Sequence, residues 1–250
     1  MWSRDSRSLL MHVNGHQFDG GRVEIYRLGA TRSSTIANDP GFFFAPAWTL
    51  DNDEVFYVTQ PPIAGARPTG EDLANHVVRM FVDGAASQVL SEEPASLIRM
   101  VRAPTNNQVA YMIQGVDSGS IRGSLSLIDE NGEATLITDL GLNVLTFFWS
   151  PDGKQIAYLS QRPSSVSVLQ TWHIFDVDSE TTRSLTTFQP SDTFVRFQLF
   201  FDAFVDSFSP WSSDGTCLLY GSDDGVYTLD VAAGQTTRIA DGEWGVWIGG

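Results

Sequence analysis

The chain of 250 residues contains one cysteine, one lysine and no apolar run long enough to span a membrane. Because a single cysteine excludes an intramolecular disulfide, cysteine usage leaves the redox compartment open, and we expect Cys217 to be a buried, inert thiol. The first twenty residues lack the basic, apolar and small-residue order of a signal peptide. If Met1 is the native start, these absences favour a cytoplasmic protein.

Positive charge is also scarce. The chain has 15 basic and 30 acidic residues, which gives a net charge of −15, and its single lysine is Lys154. Nucleic acids and anionic membranes bind proteins through clustered positive charge, so we expect neither as a partner. A protein or peptide partner is favoured, and a small-molecule ligand stays open.

A short phrase recurs along the chain at intervals of 46, 54, 47 and 62 residues. A large residue always follows nine positions after the phrase opens. The constant offset indicates a structural unit, and the varying interval indicates loops of different length. The phrase opens at Trp2, Trp48, Arg102, Trp149 and Trp211, and the large residues are Met11, Tyr57, Tyr111, Tyr158 and Tyr220.

The fourth copy predicts the structure of this unit. Residues 145–150 and 155–160 form two strands around the turn Pro-Asp-Gly, and two more strands follow at 172–177 and 182–187. The third strands of the other copies are expected at 23–28, 77–82, 124–128 and 226–229.

Turn chemistry agrees with a hairpin between the first two strands. An aspartate in four copies can bond the backbone two residues on, and the next residue tolerates the left-handed conformation. The aspartates are Asp5, Asp51, Asp152 and Asp214, and the left-handed positions are Ser6, Asn52, Asn106, Gly153 and Gly215.

A repeated four-stranded antiparallel unit of this length is typical of a β-propeller blade. Residues 149–158, Trp-Ser-Pro-Asp-Gly-Lys-Gln-Ile-Ala-Tyr, resemble the WD-like repeat of the TolB-like β-propeller family, and the resemblance extends over the whole chain. It implies an all-β propeller, but such propellers serve as binding modules, peptidase domains and scaffolds. The third copy departs from the pattern at Arg102 and Thr105.

We expect a single domain, residues 1–250, with five blades. Residues 243–248 have the pattern of a first strand, which would complete the N-terminal blade and leave no open edge. If the chain is instead an excerpt of a longer protein, the family resemblance favours a periplasmic or other extracytoplasmic location. The expected blades are 1–40 with 243–250, 41–93, 94–140, 141–190 and 203–242, with an aromatic helical insertion at 191–202.

The long connections fall on one face of this propeller, because alternate turns of an antiparallel blade lie on opposite sides. They span 14–22, 60–76, 114–123, 161–169 and 189–202, which predicts a binding face. Polar residues near the loop mouths either contact a ligand or cap the strand ends. The candidate residues on this face are Asn14, Gln60, Gln114, Gln161, Arg162 and Asp223.

The insertion carries phenylalanines at steps of three and four residues, which predicts a short helix capped by Ser191 or Asp192. Such a stripe packs onto its own protein. Phe200 lies off the stripe and, with Val195 and Leu199, is a candidate partner-binding patch. The stripe consists of Phe194, Phe197, Phe201, Phe204 and Phe208.

No nucleophile elbow, phosphate-binding loop or dinucleotide fingerprint occurs, and we predict no catalytic residue, cofactor or metal. The sequence therefore favours a non-enzymatic propeller that binds a protein or peptide, or acts as a scaffold, through its long-loop face. One alternative is a hydrolase-type enzyme with a site in the central channel, supplied by Arg99, Arg102, Asp202 and Asp206. Another is a gating domain excerpted from a larger protein such as a peptidase.

Overall fold

Five antiparallel sheets follow one another along the chain in this computed structural model, and within each sheet the strands neighbour one another in chain order. The structure describes residues 1–13, 21–41, 44–59, 74–94, 97–117, 120–139, 142–161, 169–199, 201–205 and 207–248. The first sheet contains β1 (Ser8–Val13), β2 (Arg22–Arg27) and β3 (Ser34–Ala37). The second contains β4 (Ala47–Trp48), β5 (Glu54–Thr59), β6 (Ala74–Phe81) and β7 (Ser87–Pro94).

One helical insertion separates the fourth sheet from the fifth. The third sheet contains β8 (Leu97–Arg102), β9 (Val109–Asp117), β10 (Ser120–Ile128) and β11 (Ala134–Leu136). The fourth contains β12 (Asn143–Trp149), β13 (Gln155–Gln161), β14 (Gln170–Asp176) and β15 (Thr181–Phe188). After α1 (Asp192–Gln198) and α2 (Phe201–Phe204), the fifth contains β16 (Cys217–Ser222), β17 (Gly225–Asp230) and β18 (Thr236–Ala240).

The residue that opens each phrase, called the column residue below, pairs antiparallel with the residue seven positions later in every copy. In the first and fifth sheets this pairing is an isolated bridge, and in the other three it belongs to a ladder. The predicted all-β chain of repeated antiparallel units is confirmed. The pairs are Trp2–Leu9, Trp48–Val55, Arg102–Val109, Trp149–Ile156 and Trp211–Leu218.

The first turn of a copy is closed by a side-chain network. In the fourth copy, Ser150 Oγ donates to Asp152 Oδ1 at 2.7 Å, and the same carboxylate oxygen accepts the amide of Lys154 at 3.1 Å. Gln155 N donates back to Ser150 Oγ at 2.9 Å. Gly153 occupies the left-handed region with φ of +71°. The same network recurs at Ser3–Asp5, Thr49–Asp51 and Ser212–Asp214, with positive φ at Ser6, Asn52 and Gly215.

The third copy closes its turn in another way, which corrects one expectation. Asn106 was expected in the left-handed region, but it has no positive φ. Its Oδ1 instead accepts the amide of Gln108 at 3.0 Å, and its carbonyl accepts Arg102 Nη1 at 3.0 Å. The side chain of Asn106 thus accepts a backbone amide of the turn, as an aspartate does in the other copies.

The chain divides into two compact units, and the third sheet contributes residues to both. The first unit comprises 1–102, 106–121 and 126–135, and the second comprises 103–105, 122–125 and 136–250. In the first unit, Leu10, Ile25, Phe56 and Ile98 are at most 1% exposed and belong to one apolar core. The tyrosines of the repeat are buried in both units.

These buried tyrosines keep polar partners for their hydroxyl groups. Tyr111 Oη donates to Glu93 Oε1 at 2.7 Å and lies 2.9 Å from Ser91 Oγ, so it bonds the last strand of the preceding sheet. Burial raises the pKa of Tyr111 to about 12. Tyr57 makes the equivalent bond to Asp39 Oδ1 at 3.4 Å. In the second and third copies, the large residue at the constant offset therefore bonds the preceding copy.

In the second unit, His173 lies buried between two hydroxyl groups. Ser160 Oγ is 2.8 Å from its Nε2, and Ser184 Oγ is 3.0 Å from its Nδ1. The imidazole stacks on the ring of Tyr158 at a centroid distance of 4.7 Å. Burial lowers the pKa of His173 to about 4, because the apolar surroundings disfavour the charged imidazolium. The cluster ties β13, β14 and β15 together.

Three further expectations need correction. The predicted connection 114–123 is largely strand, because β9 and β10 extend to Asp117 and from Ser120. Cys217 is half-buried, because it opens β16 directly after an exposed turn. Residues 244–248 have no strand pairing in the part of the chain that the structure describes, although the Gly245 backbone lies close to Leu219 and Val226 of the fifth sheet. Closure of the first blade by this segment stays a prediction, as do the domain bounds.

We expect Gly153→Ala to destabilise the protein more than Gly234→Ala does. Both glycines have positive φ, +71° and +67°, so alanine costs roughly 1 kcal/mol of backbone strain at either position. At Gly153 an added Cβ also collides with Thr105 Oγ1, which adds about 1 kcal/mol or more. At Gly234 the nearest atom, in Leu185, is 4.0 Å away. Urea unfolding measures both losses, and equal losses would contradict this packing.

Stability should fall in mild acid because of His173. Its folded pKa, about 4, lies below the ordinary value of 6.5, so its contribution is complete above pH 6.5 and is lost as the pH falls towards 4. The loss amounts to about 3 kcal/mol at most. Unfolding titrations from pH 7.5 to 4 should show a smaller pH dependence in His173→Gln. His12, whose pKa burial also lowers, is unchanged in both proteins. Parallel profiles for the two would refute the assignment.

Candidate functional site

Most of the predicted long-loop face lies outside the described residues. Asn14, Gln60, Arg162 and Phe200 lie outside the described residues, and so does Asp206. Gln114 lies within β9 and pairs with Leu97, so it does not end its strand as expected. These positions stay predictions as ligand-binding residues.

Gln161 and Asp223 are described, and each lies at a strand end as predicted. Gln161 is the last residue of β13 and pairs with Gln170. Asp223 follows β16, where its amide donates to the carbonyl of Gln189 at 3.0 Å and its Oδ1 accepts Ser222 Oγ at 3.2 Å. The contacts of Asp223 are those of a strand-end cap, and a ligand role for either residue stays a prediction.

The residues of the proposed channel site are divided between the two units. Arg99 is buried in β8, and Arg102 bonds the carbonyl of Asn106 in the first turn of its own copy. Asp202 is 2% exposed in α2 of the second unit. The channel enzyme stays an untested alternative to the predicted absence of a catalytic residue.

The aromatic insertion forms the helix that the spacing predicts. Ser191 caps α1, because its hydroxyl accepts the amide of Phe194 at 3.2 Å. Phe194 packs against Trp172 at 6.5 Å, and Phe201 packs edge-on against Phe147 at 5.0 Å. Phe194 and Phe201 of the stripe therefore pack onto the fourth sheet, as expected for a helix that packs onto its own protein.

A groove of about 520 Å³ lies beside the fifth sheet, bordered by first turns of the repeat instead of long connections. Trp211, Phe208 and Val205 contribute apolar surface, and serines and one carboxylate contribute polar surface. We call this site the fifth-sheet groove. Its lining residues are Pro151, Val205, Ser207, Phe208, Ser209, Trp211, Ser212, Ser213, Asp214, Val246, Trp247 and Ile248.

Val246, Trp247 and Ile248 form one wall of the groove, and residues 243–248 are called the edge segment below. Ser191 Oγ and Thr193 Oγ1 donate to the carbonyl and carboxylate oxygens of Glu243, which ties the segment to α1. Gly221 lies directly beneath, since a Cβ there would collide with the Glu243 carbonyl. Trp244 packs against Phe208 at 5.0 Å. The segment is thus held firmly at its first two residues.

Further along, the edge segment presents apolar side chains to solvent. Val246 is 53% exposed, Trp247 38% and Ile248 91%. Trp247 is nevertheless fixed, because its Nε1 donates to the carbonyl of Pro210 at 2.8 Å. Exposed apolar residues that line a groove and are rimmed by polar groups mark interaction surfaces. The groove therefore has the composition of a binding site.

Asp214 is the charged residue of this lining. Ser212 Oγ donates to its Oδ1 at 2.7 Å, and Thr216 adds its amide at 3.0 Å and its hydroxyl at 2.8 Å. These bonds lower the pKa of Asp214 to about 2, with the Ser212 bond contributing most. The groove consequently carries a negative charge at neutral pH.

Sequence reasoning missed the groove, although it identified parts of its wall. Trp211 and Asp214 were recognised as repeat positions, and residues 243–248 as a strand pattern. The signal that was available is the run of apolar residues in the edge segment, Trp244, Val246, Trp247 and Ile248. Within the described ranges, no three His, Cys, Asp or Glu side chains come together as a metal site. No helix described here has the length and hydropathy of a membrane span.

No family model matches the chain, and no curated protein sequence matches it significantly. Solved structures are similar in fold. TolB from Acinetobacter baumannii has a TM-score of 0.55 at 15% identity, over 98% of this chain and 54% of that chain. Oligogalacturonate lyase from Vibrio parahaemolyticus has a TM-score of 0.61 at 13% identity, over 96% and 64%. Dipeptidyl peptidase 4 from Porphyromonas gingivalis has 0.64 at 10%, over 98% and 39%.

These similarities establish the class of the protein as an all-β propeller. More particularly, the fold is TolB-like, as the repeat pattern predicted. The chain spans about half the length of the TolB chain that it matches. Because the three neighbours include a lyase and a peptidase, the similarity determines the fold and does not determine the function.

We expect Gly221→Ala to release the edge segment from the fifth sheet. The added methyl group occupies the space of the Glu243 carbonyl, so amides of residues 243–248 should exchange about tenfold faster or more in hydrogen-exchange mass spectrometry. Gly41→Ala is the control, because Gly41 belongs to the first unit and its added Cβ would meet a Val58 methyl group at 3.3 Å. Unchanged exchange in Gly221→Ala would contradict the close approach.

Proposed function

We propose that this chain is a non-enzymatic propeller that binds a protein or peptide, and that the fifth-sheet groove is its contact surface. The observation that carries the proposal is the fixed, partly exposed indole of Trp247 beside the exposed Val246 and Ile248. Burial of these three side chains by a partner removes apolar surface from water without a large ordering cost, since the Trp247 ring is already held.

The proposal keeps the function that the sequence favoured and changes the surface. The long connections are largely outside the described residues, so the long-loop face stays a prediction beside the groove. The groove is supported by a cavity of about 520 Å³ with apolar walls and a polar rim, which suits a peptide segment.

Charge gives the expected preference among partners. The chain has 30 acidic and 15 basic residues, and Asp214 places a fixed negative charge in the groove. Partners with basic residues beside their apolar anchor should therefore associate faster, and salt should weaken this advantage.

Selection of random displayed peptides on the immobilised chain tests the proposal. The enriched peptides should bind Trp247→Ala at least about tenfold more weakly, as expected for a central aromatic anchor. Ile239→Ala is the matched control, because Ile239 is also exposed, 53%, but lies on β18 away from the groove lining.

Other results of this experiment would count against parts of the proposal. Equal binding to Trp247→Ala and to the unmodified chain would remove the groove as the contact surface. Loss of binding in Gln161→Ala, with Trp247→Ala unaffected, would place the contact on the long-loop face. Cleavage of a bound peptide, detected by mass spectrometry, would overturn the non-enzymatic assignment.

A further inference from the structure

The turn between β10 and β11, residues 129–133, contains one of the two Asn-Gly pairs in this chain. Asn131 is exposed at the tip of the turn and Gly132 follows it. The other pair, Asn14-Gly15, lies outside the described residues. Asparagine is a thermally labile residue, and a following glycine leaves its own backbone nitrogen unshielded because it has no side chain. The exposed pair is therefore a candidate for chemical modification.

The fold requires glycine at position 132. Gly132 has φ of +88°, a conformation that other residues rarely adopt. Its ideal Cβ would lie 3.0 Å from Leu90 Cδ2, so this corner of the turn also packs against the second sheet. Every other copy has a positive φ in the corresponding turn, but none has asparagine directly before it. The corresponding pairs are Leu28-Gly29, Asp83-Gly84, Ser179-Glu180 and Ala233-Gly234.

Asp129 binds both members of the pair. Its Oδ2 accepts the side-chain Nδ2 of Asn131 at 3.0 Å, and its carbonyl accepts the Gly132 amide at 3.1 Å. Its Oδ1 accepts the backbone amides of Asn131 at 2.9 Å and Glu133 at 2.8 Å. These bonds lower the pKa of Asp129, with the Glu133 bond contributing most, so the carboxylate is ionised at neutral pH. A reaction between the Asn131 side chain and the Gly132 nitrogen has to break the first two bonds.

We propose that Asn131 is a site of spontaneous deamidation and that Asp129 controls the rate of this reaction. The Gly132 nitrogen loses its proton to water and bonds Asn131 Cγ, and the Cγ–Nδ2 bond breaks to release ammonia. Water then opens the resulting cyclic imide at either carbonyl, which yields aspartate or isoaspartate. The ring closes only when the Gly132 nitrogen and Asn131 Cγ come close together in line, and the Asp129 bonds oppose that approach. This inference does not rest on the proposed function.

Deamidation should loosen the turn. The product carries a carboxylate where the Asn131 amide donates to Asp129, so a hydrogen bond is replaced by repulsion between like charges. Isoaspartate also lengthens the main chain by one carbon, which displaces Gly132 from Leu90. Anion exchange separates the deamidated chain, because it carries an added negative charge. In that chain the amides of residues 129–133 should exchange about tenfold faster by hydrogen-exchange mass spectrometry.

The test incubates the full chain at mildly alkaline pH, which favours proton loss from the Gly132 nitrogen, and follows each asparagine by peptide mass spectrometry. Asn131 should deamidate, and in Asp129→Ala it should do so about tenfold faster, because the variant loses three bonds to the carboxylate. Asp83→Ala is the matched control. Asp83 Oδ1 accepts the Ala85 amide at 2.8 Å in the corresponding turn of the second copy, and its loss should leave the Asn131 rate unchanged.

Asn14, which precedes Gly15, provides a reference within the same chain, and its rate should be equal in all these proteins. Asn131→Ser, which introduces the residue of the fourth copy, should abolish the faster exchange that develops on incubation. Absence of deamidation at Asn131 in both the unmodified chain and Asp129→Ala would overturn the site. Equal Asn131 rates in these two proteins, or equal acceleration of Asn14 and Asn131 in Asp129→Ala, would overturn control by Asp129.

Discussion

The hydrogen-bonded turn between the first and second strands is the constraint on which the rest of this structure depends. One aspartate oxygen accepts a hydroxyl and an amide at once, as in Ser150–Asp152–Lys154, with distances of 2.7 and 3.1 Å. The bonds fix the hairpin corner, and the corner fixes the register in which the column residue meets the residue seven positions on. A constant register then allows one large residue, nine positions after the phrase opens, to reach the same place in every copy.

In the second and third copies, that large residue also bonds the preceding copy. The rings of Tyr111 and Tyr57 are buried. The Tyr111 hydroxyl donates to Glu93 in the last strand of the second sheet, and the Tyr57 hydroxyl donates to Asp39, which follows the last strand of the first sheet. A buried tyrosine needs such a partner, because an unpaired hydroxyl in an apolar core costs stability. The two bonds therefore connect the second sheet to the end of the first copy and the third sheet to the second.

The repeat was predictable because its signals are local. Turn aspartates, glycines with positive φ and the Ser191 cap each act within a few residues, so the sequence displays them directly. Three features were not predictable from these signals. Asn106 uses its side chain where the other copies use backbone conformation, and either choice is open to asparagine. Cys217 is half-buried because it follows an exposed turn, and the groove depends on distant segments, whose positions no local pattern encodes.

In the fifth copy, the first turn of the repeat also lines the fifth-sheet groove. In other copies the first turn is bonded to a neighbouring turn, through Arg4–Asn52, Leu50–Asn107 and Thr105–Asp152. The described side-chain bonds of Ser212 and Asp214 stay within their own turn, and the turn borders a groove. The same carboxylate that closes a hairpin elsewhere thus also contributes charge to an open surface here. Because the hairpin bonds fix Asp214 and the Pro210 bond fixes Trp247, both groups are preorganised, and a partner bears little of the ordering cost.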